Sequence, residues 1–292
     1  MKKKIRFSVQ HPRTSNDHLI TDEVMPNKFV RAIGHFVLVQ HTYSCNKSLN
    51  ESYEGPVVTR PVPHRGIAIL TYILAGQVEH KDSIGNHVTL NSGGVHWTNT
   101  GCGIVHYEAP RSAFQLSNPD ISVVRCWINL PSGHKADKPV YFSFHSNEIT
   151  KLELHDDAGW IKILLGQYES EVANTPCYSN DFLYHINLRA GKQLSISTKK
   201  TIDYAAFLPS NKAVINDIIF HAGNLVAFTS YGEIIELYNS SETVIDIILF
   251  GGEPDNESIV AEGGFVMNTA HEITQAYNDF YDGKYGQITH KA

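Results

Sequence analysis

The sequence predicts an all-β protein built from two similar domains, with one short helix at the C-terminal end. Three observations carry this. Runs rich in β-branched and aromatic residues are separated by Gly turns at about 8–12 residue intervals, the spacing of a sandwich or barrel. A strand–Gly–strand pattern recurs about 130 residues apart. Only one segment has helical periodicity, and no alternation of strands with long helices points to a doubly wound α/β fold.

In chain order, the strand signals are Val37-Leu38-Val39, Ile67–Leu74, Val123–Leu130, Leu183–Leu188, Ile215–Phe220 and Val244–Phe250. Ala75-Gly76, Ile84-Gly85-Asn86, Ser92-Gly93-Gly94 and Ala222-Gly223-Asn224 supply turns. The internal repeat sets His87–Trp97 beside Asp217–Ala227. Two domains suit the 292 residues at roughly 150 per domain, with a boundary expected near residue 150: domains 1–150 and 151–292. At the far end, Thr269 and Glu272 fit a capping box. Ile273, Ala276, Tyr277 and Phe280 then follow at helical spacing, and Gly283 marks a stop.

Composition excludes several classes. The net charge of −6 and the lack of a basic stripe argue against direct nucleic-acid contact. No apolar run approaches a membrane span or a signal peptide, although the chain starts Met1-Lys2-Lys3-Lys4. Cys45, Cys102, Cys126 and Cys177 form no Cys-x-x-Cys pair; their wide spacing reads as reduced thiols, and a cytoplasmic location is expected. Sixteen His make metal binding worth testing.

Residues i and i+2 of a strand face the same side, so His106 and Glu108 project together. A neighbouring strand through Pro63-His64-Arg65-Gly66 would let His64 join them. Two imidazoles and a carboxylate with open positions suit a non-haem Fe(II) centre. The bland alternative is a set of hydrogen-bonded strand histidines.

The run Pro63-His64-Arg65-Gly66 … Tyr72-Ile73-Leu74-Ala75-Gly76-Gln77-Val78-Glu79-His80-Lys81-Asp82-Ser83-Ile84-Gly85-Asn86 resembles the pirin family. So do Trp97–Pro110, the Arg31–His41 entry strand, Trp127-Ile128-Asn129-Leu130-Pro131, Gly251-Gly252-Glu253-Pro254 and Gly263–Thr269. The resemblance runs in order from about residue 30 to 286. It implies a bicupin, two jelly-roll β-barrel domains with a short helix, similar to quercetin dioxygenases. Some members of the family carry one iron in the N-terminal cupin, held by three His and one Glu. His64, His106 and Glu108 match three of those ligands.

The fourth, the first His of the family motif, falls on Val62, and an acidic residue common just after the motif falls on Ala68. Valine cannot ligate a metal. His96, where the family tends to place Gln, is the one compensating candidate, and His80 is read as a turn residue. The C-terminal domain offers Glu233-Ile234-Ile235-Glu236-Leu237-Tyr238 where the N-terminal one has His-Tyr-Glu, and is expected to lack metal ligands.

Two functions follow. The first is a pirin-like bicupin with a weakened or lost metal site that acts by binding a small molecule or a protein partner. The second is a flavonol (quercetin) dioxygenase with Fe(II) or another divalent transition metal on His64, His106 and Glu108, or, alternatively, with Glu108 as the general base that takes the substrate's hydroxyl proton.

Overall fold

A computed structural model describes residues 1–10, 13–16, 19–44, 60–110 and 121–289. Cys45 lies outside them; Cys102, Cys126 and Cys177 are free thiols. No helix among the described residues is long and apolar enough to cross a membrane.

The chain forms two compact units that interleave in sequence. The first comprises Arg13–Thr21, Val39–Ser146 and Asn256–Ala292; the second comprises Met1–Pro12, Asp22–Leu38 and Asn147–Asp255. One switch between them, Ser146/Asn147, falls close to the expected residue 150. Leu38/Val39, inside the strand Phe36–Ser44, leaves no turn signal for a sequence pattern to show.

Each unit has a seven-stranded and a four-stranded antiparallel sheet, the jelly-roll arrangement rather than a closed ring of strands. In the first unit the small sheet runs Val62–His64, Ile104–Pro110, Gln77–Asp82, His87–Asn91. The large sheet begins Val140–Phe144, Val95–Asn99, Ile67–Ala75, Ser122–Asn129. The second unit repeats this order. Its small sheet is Gln193–Ser197, Ile234–Tyr238, Ala213–Ile215, Ile218–Phe220, and its large sheet begins Ile5–Gln10, Asn224–Phe228, Asp203–Phe207, Ile245–Gly252.

The faint repeat has its structural counterpart. Strands His87–Asn91 and Val95–Asn99 cross from small to large sheet through Gly93, and Ile218–Phe220 and Asn224–Phe228 do so through Gly223. Both glycines have a positive φ, 82° and 81°, a conformation costly for a residue with a Cβ.

One expected strand is not a single strand. Ile215–Phe220 is a hairpin: Ala213–Ile215 pairs with Ile218–Phe220, and Ile215 faces Ile218 across Asn216-Asp217. Both turn residues have positive φ, 47° and 68°. Asn and Asp tolerate that region, which a two-residue hairpin turn demands, and the apolar residues on either side hide the turn in the sequence.

The helix Ala270–Tyr281 is where the spacing predicts it. Glu272 N–H donates to Thr269 Oγ1 and Thr269 N–H to Glu272 Oε2, completing the capping box. Its apolar stripe buries Ile273 and Ala276 against Val105, Phe265, Met267 and Tyr285, all in the first unit. Arg65, next to His64, donates to Asp279 on this helix at 2.6 Å.

Candidate metal centre

The first unit's small sheet delivers one row of groups. Its register sets Val62 across from His106, His106 across from Asp82, and Glu108 across from His80. Burial along Gln77–Asp82 alternates, with His80 and Asp82 on the inward side. The large sheet supplies a second row, because Thr71 faces both Arg125 and His96 on its flanking strands. Trp127, two residues on from Arg125, lies on the same strand face.

Glu108 is where the rows meet. Its side chain is 1% exposed. Thr71 Oγ1 donates to Oε2 at 2.6 Å, Arg125 Nη2 to Oε2 at 2.9 Å and His80 Nδ1 to Oε1 at 3.1 Å. Burial alone would raise its pKa, but the Arg125 charge and the His80 hydrogen bond hold it well below the usual carboxylate range.

His80 also reaches Asp82 Oδ2 through Nε2 at 3.0 Å. Both partners are carboxylates that only accept, so both ring nitrogens donate and the ring is an imidazolium. Burial works against that charge, and the hydrogen bonds to Asp82 and Glu108 outweigh it and raise the pKa. Asp82 does also shape the turn, accepting from Ile84 N–H and Asn86 N–H. The turn role expected of His80 thus belongs to its neighbour, and His80 is part of the buried network. The signal was present: His80 and Asp82 are an i, i+2 pair like His106 and Glu108.

His64 and His106 are buried neutral rings whose centroids lie 4.7 Å apart. Burial lowers His64 to about 4, with the Arg125 charge adding to it. His106 is held well below its ordinary value by burial and by the His64 and His80 rings. His64 Nδ1 donates to the Gly264 carbonyl at 3.1 Å, which leaves Nε2 its lone pair. That approach requires glycine, since a Cβ at 264 would lie 2.0 Å from the Pro63 carbonyl oxygen. His106 Nδ1 and Trp127 Nε1 are buried with no hydrogen-bond partner among the described residues.

His96 faces inward, but both its nitrogens are engaged. Nε2 donates to the Val78 carbonyl at 3.2 Å, and Nδ1 accepts from the Tyr141 hydroxyl at 2.6 Å. Ala68 lies an odd number of residues from Thr71 along a regular strand, on the opposite face, so the departure there does not touch the site.

By proximity, His80, His106 and Glu108 could hold a metal ion, with ligand atoms within 4.8 Å of one another. His64 adjoins this group through its ring contact with His106 but is not among the three. The neutral imidazoles suit a metal. Glu108 does not, as the side chains stand: both its oxygens already take donors, two of them from cations. The His80 imidazolium would have to lose a proton before it could ligate.

A jelly-roll pair with a His/Glu cluster in one half defines a bicupin. Residues 18–128 match the family model Pirin, and residues 183–286 match Pirin C-terminal cupin domain. The chain is 32% identical over 230 residues to "Pirin-like protein" of Solanum lycopersicum, covering 77% of this chain and 75% of that one. It is 29% identical over 223 residues to "Putative quercetin 2,3-dioxygenase PA2418" of Pseudomonas aeruginosa, covering 76% and 77%. Among solved structures, quercetin 2,3-dioxygenase from Acinetobacter baumannii superposes with a TM-score of 0.84 at 24% identity, covering 99% and 100%. The Escherichia coli pirin YhhW, solved in complex with nickel(II), gives 0.65 at 17% identity, covering 85% and 99%. The chain belongs to the pirin family.

Proposed function

We propose that this protein is a pirin-family bicupin whose first-unit site is a weakened metal centre and which acts by binding a small molecule, with a protein partner as the other form of binding. The observation that carries this reading is the closed hydrogen-bond network on Glu108, beside a Val at the position of the family's first motif His. Small-molecule binding is supported by His106 Nδ1 and Trp127 Nε1, two buried polar atoms on rings that both pack against His64 and that a ligand would satisfy. An aromatic ligand suits the Trp127, His64 and Tyr141 rings around them. Metal analysis of protein purified without added metal or chelator tests the reading. Far less than one ion per chain is expected, and stoichiometric metal would sink it.

The second reading, a flavonol dioxygenase on His64, His106 and Glu108, is favoured by the free Nε2 of His64 and by the name of the Pseudomonas relative. A bound divalent ion would supply Lewis acidity there. Glu108, held well below the usual range by its donors, is a poor proton acceptor until Arg125 and His80 release it. Quercetin consumption after anaerobic Fe(II) loading would establish this second reading over the first.

A further inference from the structure

Among the groups on Glu108, Arg125 differs in kind. Thr71 is neutral, and His80 carries a charge already shared with Asp82. The Arg125 guanidinium cannot lose its charge at any ordinary pH. It sits at the rim, its side chain 32% exposed, and reaches inward to a carboxylate that is 1% exposed. Its Nε also lies 3.4 Å from Thr71 Oγ1, so Arg125, Thr71 and Glu108 form one triangle. The strand register that puts Arg125 opposite Thr71 fixes this arrangement.

We infer that Arg125 is the pocket's resident cation, holding the Glu108 carboxylate in the place that a divalent ion would otherwise fill. This rests on the weakened-centre reading and adds a second cause to it. Val62 removes a ligand, whereas Arg125 satisfies the charge that would attract the metal. An incoming ion would have to displace the guanidinium from Oε2 and then sit beside a fixed positive charge in a site shielded from water, where like charges repel strongly. Arg125 thus acts through Glu108, as a positioning residue rather than a ligand. Its identity sets what the pocket accepts: with Arg125 in place, a neutral or hydrogen-bond-accepting molecule rather than a metal.

The test is anaerobic titration of the full chain with Ni(II) and with Fe(II). Wild type, Arg125→Gln, Arg125→Lys and Val62→His are compared, with circular dichroism and thermal unfolding to show that each is folded. Gln can still donate an amide hydrogen to Glu108 but carries no charge; Lys keeps the charge and loses the fork. Arg125→Gln is expected to tighten Ni(II) binding at least tenfold, and Arg125→Lys to stay within about threefold of wild type. The Val62→His/Arg125→Gln double variant should exceed either single change. A folded Arg125→Gln with unchanged affinity, beside an improved Val62→His, overturns this inference and leaves the weakened-centre reading standing. Equal gains in Gln and Lys variants also overturn it, because charge would then not be the cause. Stoichiometric, tightly held metal in the wild type overturns both.

Discussion

Strand for strand, Ile104–Pro110 and Ile234–Tyr238 hold the same place in their four-stranded sheets, yet one carries His106 and Glu108 and the other Ile235 and Leu237. The registers extend the correspondence. Aligning the two crossings through Gly93 and Gly223 sets His96 against Val226, and the partners of those residues set Thr71 against Ala206 and Arg125 against Leu249. On the small sheet His80 corresponds to Ile215 and Val62 to Ile196. Every member of the second set is aliphatic and lies in one hydrophobic core cluster. The backbone frame therefore accepts either filling. A handful of inward positions decides which filling a unit carries, and a polar filling survives only because each charged group in it finds a partner.

The largest effects should come from mixing the two fillings. Leu237→Glu places in the aliphatic core the residue that the first unit holds at Glu108, without Thr71, His80 or Arg125 equivalents. An unpaired buried carboxylate should cost about 5 kcal/mol, or unfold the protein. The reverse change, Glu108→Leu, leaves the His80 charge with Asp82 alone and frees Arg125. It should cost about 3 kcal/mol, near the low end for breaking a buried pair, because Arg125 at the rim can turn to water. Chemical denaturation measures both. A Leu237→Glu protein as stable as wild type would show that partners do not decide what the frame accepts.

A smaller effect is expected at Val62. It faces His106 across the ladder, and its 43% exposure shows room for a larger side chain. Val62→His should tighten Ni(II) binding at least tenfold, about 1.4 kcal/mol. The same titration on Ile196→His, its counterpart in the second unit, should show no gain, since no ligand row surrounds it. An equal response at 62 and 196 would mean that the two fillings do not differ in the way their side chains suggest.

Much of this contrast was legible in the sequence. The His106-x-Glu108 alternation, the His64-Arg65-Gly66 motif and the Ile235/Leu237 replacement all stand in linear order, and strand periodicity alone puts them on one face. Arg125 was not legible. It is one arginine in a strand, and its partner lies 17 residues earlier on the other sheet, so nothing local marks it. His80 reads as a turn residue in the sequence because it stands two residues before Asp82, which does shape the turn. The interleaved units were hidden for a related reason: they are specified by pairing between distant strands, which a window of local residues does not contain, whereas the Asn216-Asp217 hairpin is local and hidden by the apolar residues that flank its turn.

The smallest effect concerns the helix Ala270–Tyr281 of the first unit, which has no counterpart among the described residues of the second. Asp279 on this helix accepts from Lys284 Nζ and Arg65 Nη1, each at 2.6 Å, and from Gln275 Nε2 at 2.8 Å. Lys284 foremost, with Arg65 and Gln275, lowers its pKa to about 2. A carboxylate whose folded pKa lies below its unfolded value stabilises the fold above the unfolded pKa of roughly 4, and that contribution is lost as pH falls through the folded value. The link should therefore weaken between pH of roughly 4 and 2. Asp279→Asn should lower stability at pH 7 by about 0.5–1 kcal/mol, the range of a near-surface ion pair. It should also flatten the acid limb of the stability curve in that window. Urea unfolding of wild type and variant at pH 7, 4 and 3 gives the comparison. If the difference between them stayed constant from pH 7 to pH 3, the carboxylate charge would not be what ties the helix to Arg65, and the packing of Ile273 and Ala276 would hold it alone.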